Sequence, residues 1–164
     1  MERFALARMS FGVAVGTWLL LAMGPAAPVA ILIMAPAQSR WLAPVAAVFL
    51  WSIFALVYGL WRPREFVVTA EGLQIVWPWR VRTLLREEIV AVRPLTRDDL
   101  GRTLRVFGAG GLWGAFGRFH SRNLGPMEMY ISRRDGMILI ERLTGPGLVI
   151  TPERTTEFVG MMKV

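Results

Sequence analysis

Two long stretches without a charge fill the first third of the chain, and short runs of alternating apolar and polar residues fill the rest. Ser10–Ser39 holds no charged residue. Trp41–Trp61 (WLAPVAAVFLWSIFALVYGLW) is 21 residues without one, with Arg40 before it and Arg62 and Arg64 after it. At 1.5 Å per helical residue this second stretch reaches roughly 32 Å, about the thickness of a bilayer's hydrocarbon core. The pattern predicts a transmembrane helical hairpin over residues 1–61, with spans at about 11–35 and 41–61 and a turn at Pro36–Arg40. Gly24-Pro25 and Pro28 fall inside the first span, where proline removes a backbone hydrogen bond and kinks the helix. A re-entrant first segment is the competing geometry. A cleavable signal peptide fits less well, because the apolar run continues through Ile31–Met34 and another begins almost at once. Pro44 lies in the first turn of the second span, where its missing N–H costs little. Trp41, Tyr58 and Trp61 mark the two ends as interfacial anchors. Gly12 and Gly16 form a small-xxx-small pair expected to pack the first span against the second.

After Arg64 the period changes from helical to two. Phe66–Thr69, Leu73–Trp77, Val81–Arg86, Ile89–Arg93 and Arg102–Phe107 read as strands separated by turn residues. Met127–Ser132 and Met137–Arg142 flank Arg133–Gly136, whose Asp-Gly ending signals a hairpin. Gly147–Ile150 is the last strand. Thr151-Pro152-Glu153 then reads as an N-cap, a proline at the first helical position and an acid in the first turn, opening a C-terminal helix over about 152–162. Phe158, Met161 and Met162 recur on it at helical spacing. Residues 62–164 are thus expected to form one mainly β domain closed by a terminal helix.

Charge sharpens this picture. The net charge of +7 is carried almost wholly by arginine, Lys163 being the only lysine; from Arg62 onward 16 basic residues face 11 acidic ones. Such a balance favours anionic partners, but the charges form no run or helix face, so nucleic acid is not an expected partner. The chain has no cysteine and one histidine, His120, which excludes disulfides, thiol chemistry and a His-rich metal site. No cofactor is expected. Arg3 and Arg8 precede the hairpin and Arg62 and Arg64 follow it, against Arg40 alone in the turn. The positive-inside rule then places both termini in the cytoplasm.

The stretches RPREFVVTAEGLQIVWPWRVRTLLREEIVAV, GLWGAFGRF and LVITPERTTEFV resemble the bacterial pleckstrin-homology-like membrane proteins, over roughly residues 62–163. The resemblance implies two nearly orthogonal antiparallel sheets, seven strands in all, with a C-terminal helix across one open end. It implies little chemistry. Arg80, Arg82 and Arg86 occupy the region that reads phosphoinositides in eukaryotic PH domains, yet no lysine accompanies them, and that site is not carried over.

The glycines of FGAGGLWGAFGRF lack the GK[ST] ending of a phosphate loop, and aromatic residues interrupt them. A bulged or tightly turned strand is the expected reading, with the alternative that Leu112 and Trp113 dip into a membrane interface. Glu87-Glu88 and Asp98-Asp99 are adjacent pairs, which point to opposite faces of a strand. His120-Ser121 has no nucleophile elbow around it. What remains is membrane or anionic-lipid contact by Arg62, Arg64, Arg80, Arg82, Trp41, Trp61 and Trp113.

The leading expectation is a non-enzymatic two-pass protein of the bacterial inner (cytoplasmic) membrane. Its PH-like domain would meet a membrane-protein partner, its own copies or anionic lipid headgroups. The alternative is an accessory subunit of a transporter or envelope enzyme that docks through its hairpin. A cytoplasmic reporter fused to the C-terminus should be active; activity only of a reporter that works outside the cytoplasm would reverse the orientation.

Overall fold

The structure, a computed structural model, describes residues 1–111 and 113–162. The β domain begins before the apolar hairpin. Strand β1 (Glu2–Ala5) pairs antiparallel with β2 (Glu65–Val68), Phe4 facing Phe66 in register. Beyond it, Leu6 bridges Pro152 and the Ala7 N–H donates to Thr151 O at 2.9 Å. Phe4 is 1% exposed and meets Phe158 edge to face at 5.2 Å, while Arg154 covers its ring at 4.9 Å. Residues 2–7 therefore stitch the first sheet to the C-terminal segment, although the hydropathy pattern assigns them to the anchor. The reason is visible in the run ERFALA: its alternation is only a few residues long, and its partner strand lies some sixty residues away.

Two apolar helical stretches follow, Phe11–Met34 and Ala37–Trp61, 24 and 25 residues long. The first consists of α1 (Phe11–Met23) and α2 (Ala26–Met34), broken at Gly24-Pro25. The second consists of a short 3₁₀ turn, α3 (Leu42–Leu56) and a π-helical turn at Val57–Trp61. Both are long and apolar enough to cross a membrane, and most of their surface is uncovered by protein. Because β1 and β2 flank them and pair, the hairpin returns to the side from which it left. α2 packs on α3, and a Cβ on Gly24 would lie 3.1 Å from the Phe54 ring. Gly12 and Gly16 do not pack against the second stretch as their spacing predicts: a Cβ on either meets nothing within 4 Å.

Among the described residues the domain has ten strands in two sheets rather than the seven the resemblance implies. The first sheet runs β1-β2-β3-β4, with β3 at Gly72–Val76 and β4 at Val81–Leu85. The second runs β5-β9-β10-β8-β7-β6, formed by β5 (Ile89–Leu95), β6 (Thr103–Gly110), β7 (Ala115–Ser121), β8 (Gly125–Ile131), β9 (Met137–Arg142) and β10 (Gly147–Ile150). One correction concerns β8 and β9, which are not a hairpin. β10 inserts between them, antiparallel to β9 and parallel to β8, so the second sheet is mixed. The Arg133–Gly136 connection is held open from outside: Arg133 donates to Pro152 O and Thr155 Oγ1, and Thr155 Oγ1 donates to Gly136 O. A second correction concerns the terminal helix, α5, which spans Thr155–Met162. Thr151 is not its cap, because its buried Oγ1 accepts the Ser132 N–H at 3.0 Å and Pro152 is occupied by Leu6.

Strand alternation makes two cores. Phe66, Leu73, Ile75, Phe116, Ile138, Ile140, Leu148 and Ile150 meet Phe4 and Phe158 between the sheets and α5. Met127, Met129, Ile131, Met137, Leu139 and Val149 form a second cluster on the far face of the larger sheet, under Leu100 of the short helix α4 (Arg97–Leu100).

Phe4→Ala should lower stability by about 3–5 kcal/mol, the range for emptying a buried phenyl site. Ala5→Ser, at an exposed position of the same strand, should change it by under about 0.5 kcal/mol. Thermal melts of the full chain in detergent separate the two; equal melting temperatures would show that β1 is not part of the domain.

Candidate functional site

The turn Trp77–Arg80 between β3 and β4 brings side chains of the first sheet to the foot of the second apolar helix. Trp77 is buried and donates its indole N–H to Trp61 O at 3.1 Å. Trp79 is 81% exposed, yet its Nε1 would lie 3.3 Å from a Cβ on Gly59. On the other side of the foot, Phe107 of β6 meets Trp61 edge to face at 5.8 Å. Two recesses flank the turn.

The larger recess, about 400 Å³, lies between β4 and β6–β8. Trp61, Trp77, Phe107 and Tyr130 give it aromatic walls, and Arg80, Arg82, Arg118 and Glu128 give it charge. Glu128 is 6% exposed and is neutralised by Arg82 Nη1 at 2.6 Å and Arg142 Nη2 at 3.7 Å. Arg80 stacks on Trp77 with its guanidinium carbon 4.3 Å from the ring. Arg80 and Arg118 make no ion pair among the described residues. The recess therefore carries an uncompensated positive charge beside a carboxylate that is already satisfied. Burial pushes the Tyr130 phenol above its ordinary value; the Glu128 charge adds to this, while Arg82, Arg80 and Arg142 oppose it. Tyr130 is consequently a neutral hydroxyl at physiological pH.

The smaller recess, about 220 Å³, is lined by Leu6, Tyr58, Arg62, Pro63, Arg64 and Pro78. Arg62 lies over the Tyr58 ring at 5.2 Å, and its Nε is buried without a hydrogen-bond partner among the described residues. Arg64 is exposed, and its main-chain N–H donates to Val76 O at 2.7 Å. Together the two recesses form a basic and aromatic collar around the helix foot. Of the residues singled out from sequence, Arg62, Arg64, Arg80, Arg82 and Trp61 converge on it. Trp41 caps the other end of α3 and is 63% exposed there.

Trp113 sits elsewhere, at the tip of the β6–β7 hairpin. Its main-chain N–H donates to Thr17 Oγ1 of α1 at 2.9 Å, and its ring meets Tyr58 of the second helix at 5.3 Å. The tip is thus wedged between the two helices. Leu112 lies outside the described residues. The glycines make this hairpin a close-packed ribbon rather than a phosphate loop: Gly108 and Gly117 face each other across β6 and β7 at φ 125° and 124°, where a Cβ on either would strike the opposite backbone. A bulge between Arg105 and Phe107 bends the strand.

The acidic and nucleophilic pairs have local roles. Asp99 accepts from the Thr96 N–H at 2.9 Å and hydroxyl at 2.6 Å, and these bonds hold its carboxyl below the ordinary range. Glu88 accepts the Leu85 N–H. Ser121 Oγ donates to Leu100 O and accepts two turn N–H groups, so it is a turn organiser. No group of three His, Cys, Asp or Glu side chains suited to a metal occurs among the described residues.

Sequence reasoning missed Arg118, Glu128, Tyr130 and Phe107. The three on β7 and β8 are brought to the collar by strand pairing, Arg118 lying directly opposite Glu128, and no local spacing signals such a meeting. Over residues 64–164 the chain matches the family described as Bacterial PH domain. That is more than half of its length, and the chain belongs to this family. No curated protein and no solved structure matches it.

With Tyr58→Phe, Tyr130 is the one tyrosine left, and its ultraviolet titration should run above the ordinary tyrosine range. Adding Glu128→Gln should move it downward. Because the folded value is the raised one, stability from this group is intact below the ordinary value and is lost as pH climbs through the folded one. Titration at the ordinary value would show that the recess is open to bulk water.

Proposed function

We propose that this member of the bacterial PH domain family is a non-enzymatic, two-pass inner-membrane protein whose β domain contacts anionic lipid headgroups through the collar. One observation carries the reading: Arg80 and Arg118, without a carboxylate partner among the described residues, share a recess with Trp61 at the foot of an apolar helix of membrane-spanning length. A headgroup phosphate at the surface of the leaflet lies within reach of such a recess, and each basic residue near an anionic surface contributes about 1 kcal/mol. Exposed Trp79 and half-buried Trp61 are aromatic groups of the kind that settle at headgroup level. Arg3, Arg8, Arg62 and Arg64 lie on the domain side of the hairpin, and Arg40 lies in its turn, which supports a cytoplasmic domain.

Docking to a transporter, an envelope enzyme or a second copy through the hairpin is the competing reading. It is favoured by the uncovered flanks of both helices. Removing residues 1–61 does not discriminate the two, since it also removes β1 and Phe4 from the core.

Native mass spectrometry of the full chain in detergent should show retention of phosphatidylglycerol over phosphatidylcholine, with a preference that falls with added salt. Arg80→Gln with Arg118→Gln should weaken that retention about thirtyfold. Undiminished retention by the double variant would remove the collar from the account.

A further inference from the structure

On the other side of the β6–β7 wedge, a larger cleft of about 870 Å³ separates the first helix from the second sheet. Its helix wall is the face of Gly12 and Gly16, where an added Cβ meets nothing within 4 Å. Its sheet wall is Gly110, Gly114 and Ala115 together with Phe119, Met129 and Ile131. The walls are thus more apolar than polar, with glycine backbone on both sides and Ser10, Thr103 and Ser132 among the apolar side chains, which leaves room for a slender hydrocarbon. Among the described residues no aspartate or glutamate lines the cleft, whereas Arg97, Arg133 and Arg134 do. Arg133 is engaged with Pro152 and Thr155. Arg97 and Arg134 are exposed and form no ion pair among the described residues.

The cleft is held open by the fold. Thr17 ties α1 to the hairpin tip one residue beyond Gly16, which fixes the helix against the tip at one end of the cleft. The glycine pair thus faces a gap rather than a helix.

We propose that this cleft holds one acyl chain of an anionic phospholipid from the surrounding leaflet, with Arg97 and Arg134 meeting the headgroup at its mouth. The inference rests on the reading that the helices span a membrane: the first helix is then at once a wall of the cleft and a surface of the bilayer, and lipid is the neighbour at hand. The Gly, Phe119, Met129 and Ile131 portion of the walls accounts for the chain, and the arginines Arg97 and Arg134 at the rim account for the sign of the headgroup. The volume lies within the roughly 300–1,000 Å³ range of small-molecule sites.

The test uses the full chain in nanodiscs containing phosphatidylglycerol with a photoactivatable diazirine at the end of one acyl chain, and maps adducts by mass spectrometry. Adducts are expected on Phe119, Met129 or Ile131, domain residues that no chain lying in the bilayer would touch. Gly12→Leu with Gly16→Leu, which fills the gap from the helix side, should reduce them about tenfold. Arg97→Gln with Arg134→Gln should leave the chain adducts but abolish the preference over phosphatidylcholine. Adducts confined to outward residues such as Trp18 and Leu19 would overturn the inference while leaving the membrane reading intact. So would protection of the same domain residues by glycerol phosphate alone, since a headgroup without a chain would then suffice. Release of the protein from native membranes by alkaline carbonate would instead overturn the membrane reading itself.

Discussion

The hydroxyl of Thr17 accepts the main-chain N–H of Trp113 at 2.9 Å and directs its own proton to Val13 O at 2.8 Å, one turn back in the same helix. It is 1% exposed in a helix whose other residues are apolar or glycine. Such a bond contributes about 1 kcal/mol net, but leaving its buried partners unpaired costs about 1–3 kcal/mol, so the contact resists opening more than its net contribution indicates. Trp113 itself has φ 56°, a backbone conformation that disfavours a bulky residue by roughly 1–3 kcal/mol and persists where its surroundings dictate it. Thr17 on one side and the Tyr58 ring on the other are those surroundings.

The wedge shapes everything at the domain end of the hairpin. The two apolar helices touch where α2 meets α3 and at Gly24–Phe54, and they part where Trp113 stands between them. On the side of the second helix this leaves the collar, filled by arginine and aromatic rings. On the side of the first helix it leaves the open cleft, floored by glycine and sulfur-bearing side chains. Strand β1 adds a second attachment, because the chain enters the hairpin from one end of the first sheet and re-enters that sheet at β2. With Leu6 bonded to Arg64 O and Ala7 to Thr151 O, neither end has slack. A ligand of this domain is met within a domain's height of the helices.

Much of this architecture was legible in the sequence, for physical reasons that differ from element to element. Uncharged stretches of helical-span length and period-two runs are local patterns, so the hairpin, the strands β2 to β6 and the strands β8 to β10 could be read from them. β1 could not, because four residues carry too little periodicity and their pairing is long-range. The insertion of β10 between β8 and β9 was hidden by the Asp135-Gly136 turn signal, which reports a change of direction and not which strands become neighbours. Arg80 and Arg82 were visible as a basic turn. Arg118, Glu128 and Tyr130 joined them only through sheet register, and the role of Thr17 was invisible because a lone threonine in an apolar helix has an ordinary explanation in its i−4 carbonyl.

Amide hydrogen exchange of the full chain in nanodiscs measures the wedge directly, at the Trp113 N–H. A wedge held by Thr17 predicts slow exchange at that amide in the wild-type chain and fast exchange in Thr17→Val, with β8 and β10 equally protected in both. Fast exchange at Trp113 in the wild-type chain, with those strands still protected, would contradict it.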